Sequence, residues 1–268
     1  MSGDRTLAPF GRRRALVVSE RRVGAYTILE LSDRDGPAPE PGQFFMLAAA
    51  SCWGAGEDER PFLPRAFSAM GAAGGSLWFM LEDVGPGTHR LTRLRKGEPV
   101  WVLGPLGTPF APPEDGRRPL LCGGGIGLPP LVFLSGALRE AGLEPVLQLG
   151  FRDAHHAQVA AGFAHAQLAT DDGSVGHHGL VTELLAAELD ADPHAVVYAC
   201  GPPGMLEAIR RLCVARDVPG RLALESGMAC GYGACFGCVV PLAAGGYSRV
   251  CVDGPVLDAA AIAEVPAA

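Results

Sequence analysis

The chain has 268 residues, 48% of them apolar and only 19% charged, with a formal net charge of −7. That length suggests two modules, or one large module with an appendage, and the acidic balance argues against holding nucleic acid by phosphate neutralisation. With 37 glycines and 23 prolines, the chain should be rich in turns yet still folded. Arginine supplies almost all the basic charge, Lys96 being the only lysine, which reads as compositional bias.

No export or membrane segment is expected. Arg12-Arg13-Arg14 is followed by an apolar run, Ala15 to Val18, that is far too short for a signal h-region. The uncharged window Pro119 to Leu138 contains five glycines and two internal prolines, so it reads as strand, turn and helix rather than as a membrane span. The protein is expected to be soluble and cytoplasmic.

Short β-rich runs come first, at residues 15–19, 25–31, 43–48, 65–70, 76–82 and 99–103, separated by Gly/Pro turns. This spacing predicts an antiparallel β-barrel over residues 1–113, with one short helix near 87–94. After a Pro-rich linker at 111–116 the rhythm changes. Strands are expected at 119–122, 145–150, 164–170, 195–200 and 221–224, alternating with helices at 128–140, 180–189 and 204–216. That alternation predicts an α/β domain over residues 114–224, a doubly wound parallel sheet with helices on both faces. Residues 225–268 read as a small cysteine-rich module.

Of eight cysteines, Cys52, Cys122, Cys200 and Cys213 are scattered, whereas Cys230, Cys235, Cys238 and Cys251 form C-x4-C-x2-C-x12-C. This is the ligand order of a plant-type [2Fe–2S] site. Gly231, Gly233 and Gly237 let the loop fold back and bring backbone N–H groups to the sulfurs. A structural Zn(Cys)4 site is the rival, although two C-x2-C knuckles would be usual for it.

Two further motifs sit at predicted strand ends. Cys122-Gly123-Gly124-Gly125-Ile126-Gly127 leads from a strand into a helix, where backbone amides can face a pyrophosphate. Taken alone it is equally compatible with tight packing. Cys200-Gly201-Pro202-Pro203 ends a later strand, and Cys200 is the candidate to touch a nicotinamide, or else a small buried hydrophobe. In the barrel, Arg65-Ala66-Phe67-Ser68 offers a guanidinium for a pyrophosphate, a ring to stack on a flavin and a hydroxyl to hydrogen-bond it. Val84-Gly85-Pro86-Gly87-Thr88 is a turn before a helix, and Gly104-Pro105-Leu106-Gly107 closes the barrel. The pairs His155-His156 and His177-His178 are expected on surface loops.

The order of these motifs resembles the ferredoxin reductase-like flavoproteins, and within them the electron-transfer subunits of NAD-dependent, two-subunit dihydroorotate dehydrogenases. The resemblance runs from about Arg13 to Leu257 and includes Pro129-Pro130 and Thr170-Asp171-Asp172-Gly173-Ser174. It implies FAD held by Arg65, Ala66, Phe67 and Ser68 with Met80, Leu81, Glu82, Gly87 and Thr88. It further implies NAD received by Gly123, Gly124, Gly125, Ile126 and Gly127 with Cys200, Gly201 and Pro202, and a [2Fe–2S] cluster on the four tail cysteines. The implied partner is an FMN-containing dihydroorotate dehydrogenase catalytic subunit, in a heterotetramer serving pyrimidine (UMP) biosynthesis.

Ala66 stands where the family often has proline, Glu82 where a cation is common, and residues 49–60 form a longer loop than usual. Nothing marks a 2′-phosphate site by an Arg or Ser cluster. Two other readings stay open. One is the small subunit of another NAD(P)H oxidoreductase, of a hydrogenase or ferredoxin:NADP type. The other is a redox-sensing module.

Overall fold

In a computed structural model of the chain, residues 12–50, 63–163 and 165–266 are described. The long loop expected around Cys52 and Trp53 lies outside the described residues.

The first domain is one antiparallel sheet. Its strands are β1 (Arg13–Val23), β2 (Tyr26–Ser32), β3 (Phe44–Ala49), β4 (Arg65–Ser68), β5 (Gly71–Ala73), β6 (Ser76–Glu82) and β7 (Pro99–Leu106). They are ordered β4-β3-β7-β1-β2-β6-β5. The two edge strands, β4 and β5, are consecutive in the chain, so the sheet must curl until its edges meet. Ala69 and Met70 make that junction: the Ala69 N–H donates to Gln43 O and the Met70 N–H to Trp78 O. The strand expected over 65–70 thus ends at Ser68, and a separate strand beginning at Gly71 serves the opposite edge. Inward-facing Leu29, Leu31, Phe45, Leu47, Phe79, Leu81, Val100 and Val102 fill the barrel, with Phe45 and Phe79 edge to face at 5.5 Å. A short helix, α1 (Pro86–Leu91), follows β6.

The second domain has parallel strands β8 (Arg118–Gly124), β9 (Val146–Phe151), β10 (Gln167–Thr170), β11 (His177–His178), β12 (Ala195–Cys200) and β13 (Gly220–Ala223). Its helices are α2 (Leu128–Glu140), α3 (Ala154–Ala157), α4 (Val181–Ala191) and α5 (Pro203–Arg216). Period-two alternation divides each strand between two cores. Leu120 faces Leu185, Leu206 and Ile209 of α4 and α5, while Leu121 faces Leu128, Leu131 and Leu134 of α2. The chain moves outward from β8 to β9, β10 and β11, then returns to the other side of β8 as β12. The carboxyl ends of β8 and β12 thus flank a topological switch point, where open α/β sheets take ligands.

The tail forms a small hairpin, β14 (Val239–Pro241) with β15 (Tyr247–Arg249), and a last strand, β16 (Val256–Asp258). β16 pairs antiparallel with β13 and so adds itself to the nucleotide-domain sheet. Just before it, Gly254 O accepts from the Thr108 N–H and Pro255 O from the Leu224 N–H. The cysteine-rich segment is thereby stitched to both domains.

Candidate cofactor sites at the strand ends

On β4, Arg65 and Phe67 share a face with Leu47 and Phe45, their register partners on β3. Phe67 is half-buried and packs on the barrel core. Arg65 lies over the first turn of α1, where a Cβ on Gly87 would sit 2.8 Å from Arg65 Nε. Only glycine leaves room for that guanidinium on the backbone. Thr88 is buried and holds the turn: its Oγ1 accepts from the N–H groups of Val84 (2.9 Å) and Gly85 (3.0 Å) and donates to Gly85 O. The strand motif and the turn motif therefore meet in one place, with a cation and an ordered loop suited to a pyrophosphate. Ala66 and Ser68 point to the other face, with Met46 and Phe44 opposite them in register. Met80 and Leu81 are fully buried in two different cores, so they present backbone rather than side chains to a ligand.

A cavity of about 450 Å³ opens over the switch point. Gly124, Gly125 and Ile126 form its wall after β8, Pro202 and Met205 after β12, Arg152 after β9, and Asp171 after β10. From the barrel come Tyr26 and Glu82, which are register partners on β2 and β6. Glu82 thus lies on the nucleotide-domain side of the barrel. The two glycine motifs pack directly on each other, since a Cβ on Gly127 would overlap the Cys200 carbonyl. Gly127 serves that contact, whereas Gly124 and Gly125 line the cavity. Gly123 packs under Leu131 and Leu149.

Cys200 is 2% exposed and does not line the cavity, and burial pushes its thiol well above the ordinary range. It is a neutral side chain at a strand end. Glu225 follows β13, whose Ala223 pairs with Cys200. Desolvation by the surrounding protein raises its carboxyl, although the side chain still reaches solvent.

The cavity also explains residues that the sequence did not point to. His156, expected on a surface loop, is in α3 with its side chain 13% exposed. Its Nδ1 lies 2.7 Å from Asp153 Oδ1 and its Nε2 3.7 Å from Glu82 Oε1. Its ring meets Tyr26 edge on at 5.9 Å. Burial, with the nearby Glu82 carboxylate, pushes the Tyr26 phenol up. His177 and His178 are exposed, as expected, on the edge strand β11.

In the tail, Cys230 lies beside Cys235, and Cys251 beside Cys238. Backbone amides reach the sulfurs, from Gly237 to Cys235 Sγ at 3.4 Å and from Cys251 to Cys238 Sγ at 3.5 Å. For Cys230, burial raises the thiol pKa, but hydrogen bonds from the loop amides and Cys235 more than offset it, to about 7. For Cys251, burial and the Cys238 thiol push it up to about 12. Among the described residues no three His, Cys, Asp or Glu side chains converge on a single-ion position.

Comparison with known proteins agrees with this geometry. The family described as the iron–sulfur cluster binding domain of dihydroorotate dehydrogenase B matches residues 225–263. A relative from Geobacillus thermodenitrificans (strain NG80-2), the electron transfer subunit of dihydroorotate dehydrogenase B (NAD(+)), is 41% identical over 263 residues. The match covers 93% of this chain and 97% of the relative. The chain belongs to the dihydroorotate dehydrogenase B electron-transfer subunit family. The same-named subunit from Caldanaerobacter subterraneus subsp. tengcongensis is 33% identical, over 91% of this chain and 96% of its own.

Among solved structures, NADH-dependent reduced ferredoxin-NADP oxidoreductase matches with a TM-score of 0.78 at 23% identity, over 95% of this chain and 91% of that one. The ferredoxin reductase in carbazole 1,9a-dioxygenase matches with a TM-score of 0.67 at 26% identity, over 79% and 68%. The fold is therefore that of the ferredoxin reductase-like FAD- and NAD-binding proteins, extended by an iron–sulfur domain. With that fold and domain, FAD, an iron–sulfur cluster and NAD are the cofactors of this oxidoreductase subunit. As a member of a subunit family, the dihydroorotate dehydrogenase B chain works with a partner catalytic subunit. No helix among the described residues is long and apolar enough to cross a membrane.

Proposed function

We propose that this chain accepts electrons from an FMN-containing dihydroorotate dehydrogenase catalytic subunit and delivers them to NAD+. It would do so in a cytoplasmic heterotetramer, two subunits of each kind, that serves pyrimidine (UMP) biosynthesis. A flavin exchanges single electrons with an iron–sulfur centre and a hydride with nicotinamide, so FAD supplies the junction between the two.

The residues divide that work by domain. In the barrel of residues 1–113, Arg65 over Gly87 would pair with the FAD pyrophosphate while Thr88 keeps the turn in shape. Phe67, Ala66 and Ser68 would border the flavin ring, with the Met80–Leu81 backbone and Glu82 closing its nucleotide side. In residues 114–224, Gly123–Gly127 and the Cys200-Gly201-Pro202 strand end would seat the nicotinamide nucleotide. Cys230, Cys235, Cys238 and Cys251 in residues 225–268 would ligate a [2Fe–2S] cluster, stabilised by the Gly237 and Cys251 amides. No side chain here needs to act as a general acid or base on dihydroorotate; this chain's task is distance, orientation and potential.

One convergence supports the reading above all. Met46 pairs with Ala66 of the Arg-x-Phe-Ser strand and also packs under Gly231 of the cysteine loop. The experiment is anaerobic reconstitution with a dihydroorotate dehydrogenase catalytic subunit, dihydroorotate and NAD+. NADH should form only when both subunits are present. Electron delivery only to a ferredoxin or a dye, with no NADH, would overturn the assignment.

A further inference from the structure

We propose that Tyr26 of the barrel donates its phenolic hydrogen to the dinucleotide pyrophosphate, so that the FAD domain completes a site built mainly by the nucleotide domain. The inference rests on the reading of the switch-point cavity as the dinucleotide site.

Tyr26 begins β2 and is 1% exposed, yet it lines the cavity between the two domains. Its ring is held in place. It packs in the core that also contains Met80 and Leu128, and the His156 ring meets it edge on at 5.9 Å. The hydroxyl reaches across to the glycine turn, 3.6 Å from where a Cβ on Gly125 would stand. There it makes no hydrogen bond with any described residue. A buried hydroxyl without a partner is costly, and phenylalanine would fill the same core without that cost. The hydroxyl therefore points to an acceptor brought by a ligand.

The acceptor that fits there is an anion. Gly125 opens the turn that leads into α2, and the leading amides of a helix have no acceptors within it. Arg152, after β9, lines the same cavity from the nucleotide domain and is close enough to act on the phenol electrostatically. Burial and the Glu82 carboxylate keep the phenol protonated, so it has a hydrogen to donate. Two carboxylates bear on Tyr26, those of Glu82 and Asp153. Both are turned to His156, at 3.7 Å from Nε2 and 2.7 Å from Nδ1. Asp171, also on the cavity wall, follows β10, two strands from β8. β8 and β9 are neighbours, about 4.8 Å apart. A phosphate between their ends can thus meet the turn amides, the Arg152 guanidinium and the Tyr26 hydroxyl together.

The test is calorimetric titration of the oxidised, FAD-loaded complex with NAD+ and with ADP, neither of which reacts with oxidised flavin. ADP keeps the pyrophosphate but lacks the nicotinamide riboside. Tyr26→Phe retains the ring and removes only the hydroxyl, so FAD content and the flavin spectrum should match wild type. The variant should weaken NAD+ and ADP by a similar factor, about five-fold or more. Unchanged NAD+ affinity overturns the inference. So does a loss for NAD+ with none for ADP, which would place the hydroxyl on the nicotinamide riboside. Loss of FAD from the variant also overturns it, because the hydroxyl would then serve the flavin nucleotide. If wild type binds neither NAD+ nor ADP, the cavity assignment itself fails, and that control tells the two failures apart.

Discussion

Met46 and Gly231 touch so closely that a Cβ on the glycine would lie 2.6 Å from Met46 Cγ. Gly231 also has φ +80, a conformation that L side chains rarely adopt. The cysteine loop is thus seated on the barrel at the strand opposite Ala66. Gly231→Ala should lift the loop, at a cost of about 1–3 kcal/mol from strain and overpacking. The expected outcome is a lower iron content per chain, or slower electron exchange between cluster and FAD, with FAD retained. Wild-type iron and a wild-type exchange rate in this variant would show that the contact is dispensable.

The two cofactor domains also meet at Glu82 and His156, whose side chains are 22% and 13% exposed. Because His156 is oriented by Asp153, it can face Glu82 without losing a partner of its own. Glu82→Gln and His156→Gln should each cost about 0.5–1.5 kcal/mol. The double variant should fall short of additivity by at least about 0.5 kcal/mol. A denaturant double-mutant cycle measures this, and simple additivity would mean that the domain boundary is held by other contacts.

Glu207 ties α5 to the end of the chain. It accepts from Arg210 Nε (2.7 Å) and Nη2 (2.9 Å), from Arg211 Nε (2.7 Å) and from the Val265 N–H (3.1 Å). Its carboxyl is lowered from 4.5 to about 2, chiefly by the Arg210 hydrogen bonds. A depressed folded-state value means that the stabilisation is complete above about 4.5 and is lost as pH falls towards about 2. Glu207→Gln should cost about 1–3 kcal/mol at neutral pH and flatten the difference between wild type and variant across that acid window. Stability–pH curves for the two proteins, with hydrogen exchange at Val265, check both parts. A stability gap that persists undiminished at the bottom of the window would contradict the assignment.

Two glycines should respond in opposite ways to alanine. In Gly127→Ala the new methyl would overlap the Cys200 carbonyl, and backbone on backbone cannot give way locally. A loss of about 3 kcal/mol or more is expected, with dinucleotide binding abolished. Gly136 lies inside α2, and an added methyl there would meet nothing within 4 Å, so Gly136→Ala should be neutral or stabilising by up to about 1 kcal/mol. Thermal denaturation of the pair distinguishes contact from propensity, and equal effects would refute the packing argument.

Much of the fold was legible because it is written in local patterns. The strand–turn–helix alternation, the buried runs of β8 and β12 and the Gly/Pro turns all act over short distances, and the expected helix at 128–140 matches α2. What stayed hidden depends on distant partners. Tyr26 reads as an ordinary strand residue until register sets it beside Glu82. His156 looks like a loop histidine, but Gly24 of the barrel hairpin docks so tightly that a Cβ there would overlap the His155 carbonyl oxygen. That docking encloses α3. β16 is only three residues long and has no period of its own, so its pairing with β13 follows from where the rest of the tail is anchored. The glycine-rich turn was ambiguous between ligand binding and packing because its positions divide: Gly123 and Gly127 pack against neighbouring elements, while Gly124 and Gly125 line the cavity.

On the proposed route, electrons reach NAD+ through the cysteine loop and the barrel of this chain. Dihydroorotate-driven NAD+ reduction by the reconstituted complex, compared between wild type and Cys235→Ser, tests it most directly. The variant should lose iron and dihydroorotate-driven NADH formation together, yet keep FAD and NADH-dependent dye reduction. An iron-depleted variant that still makes NADH from dihydroorotate at the wild-type rate would contradict the account.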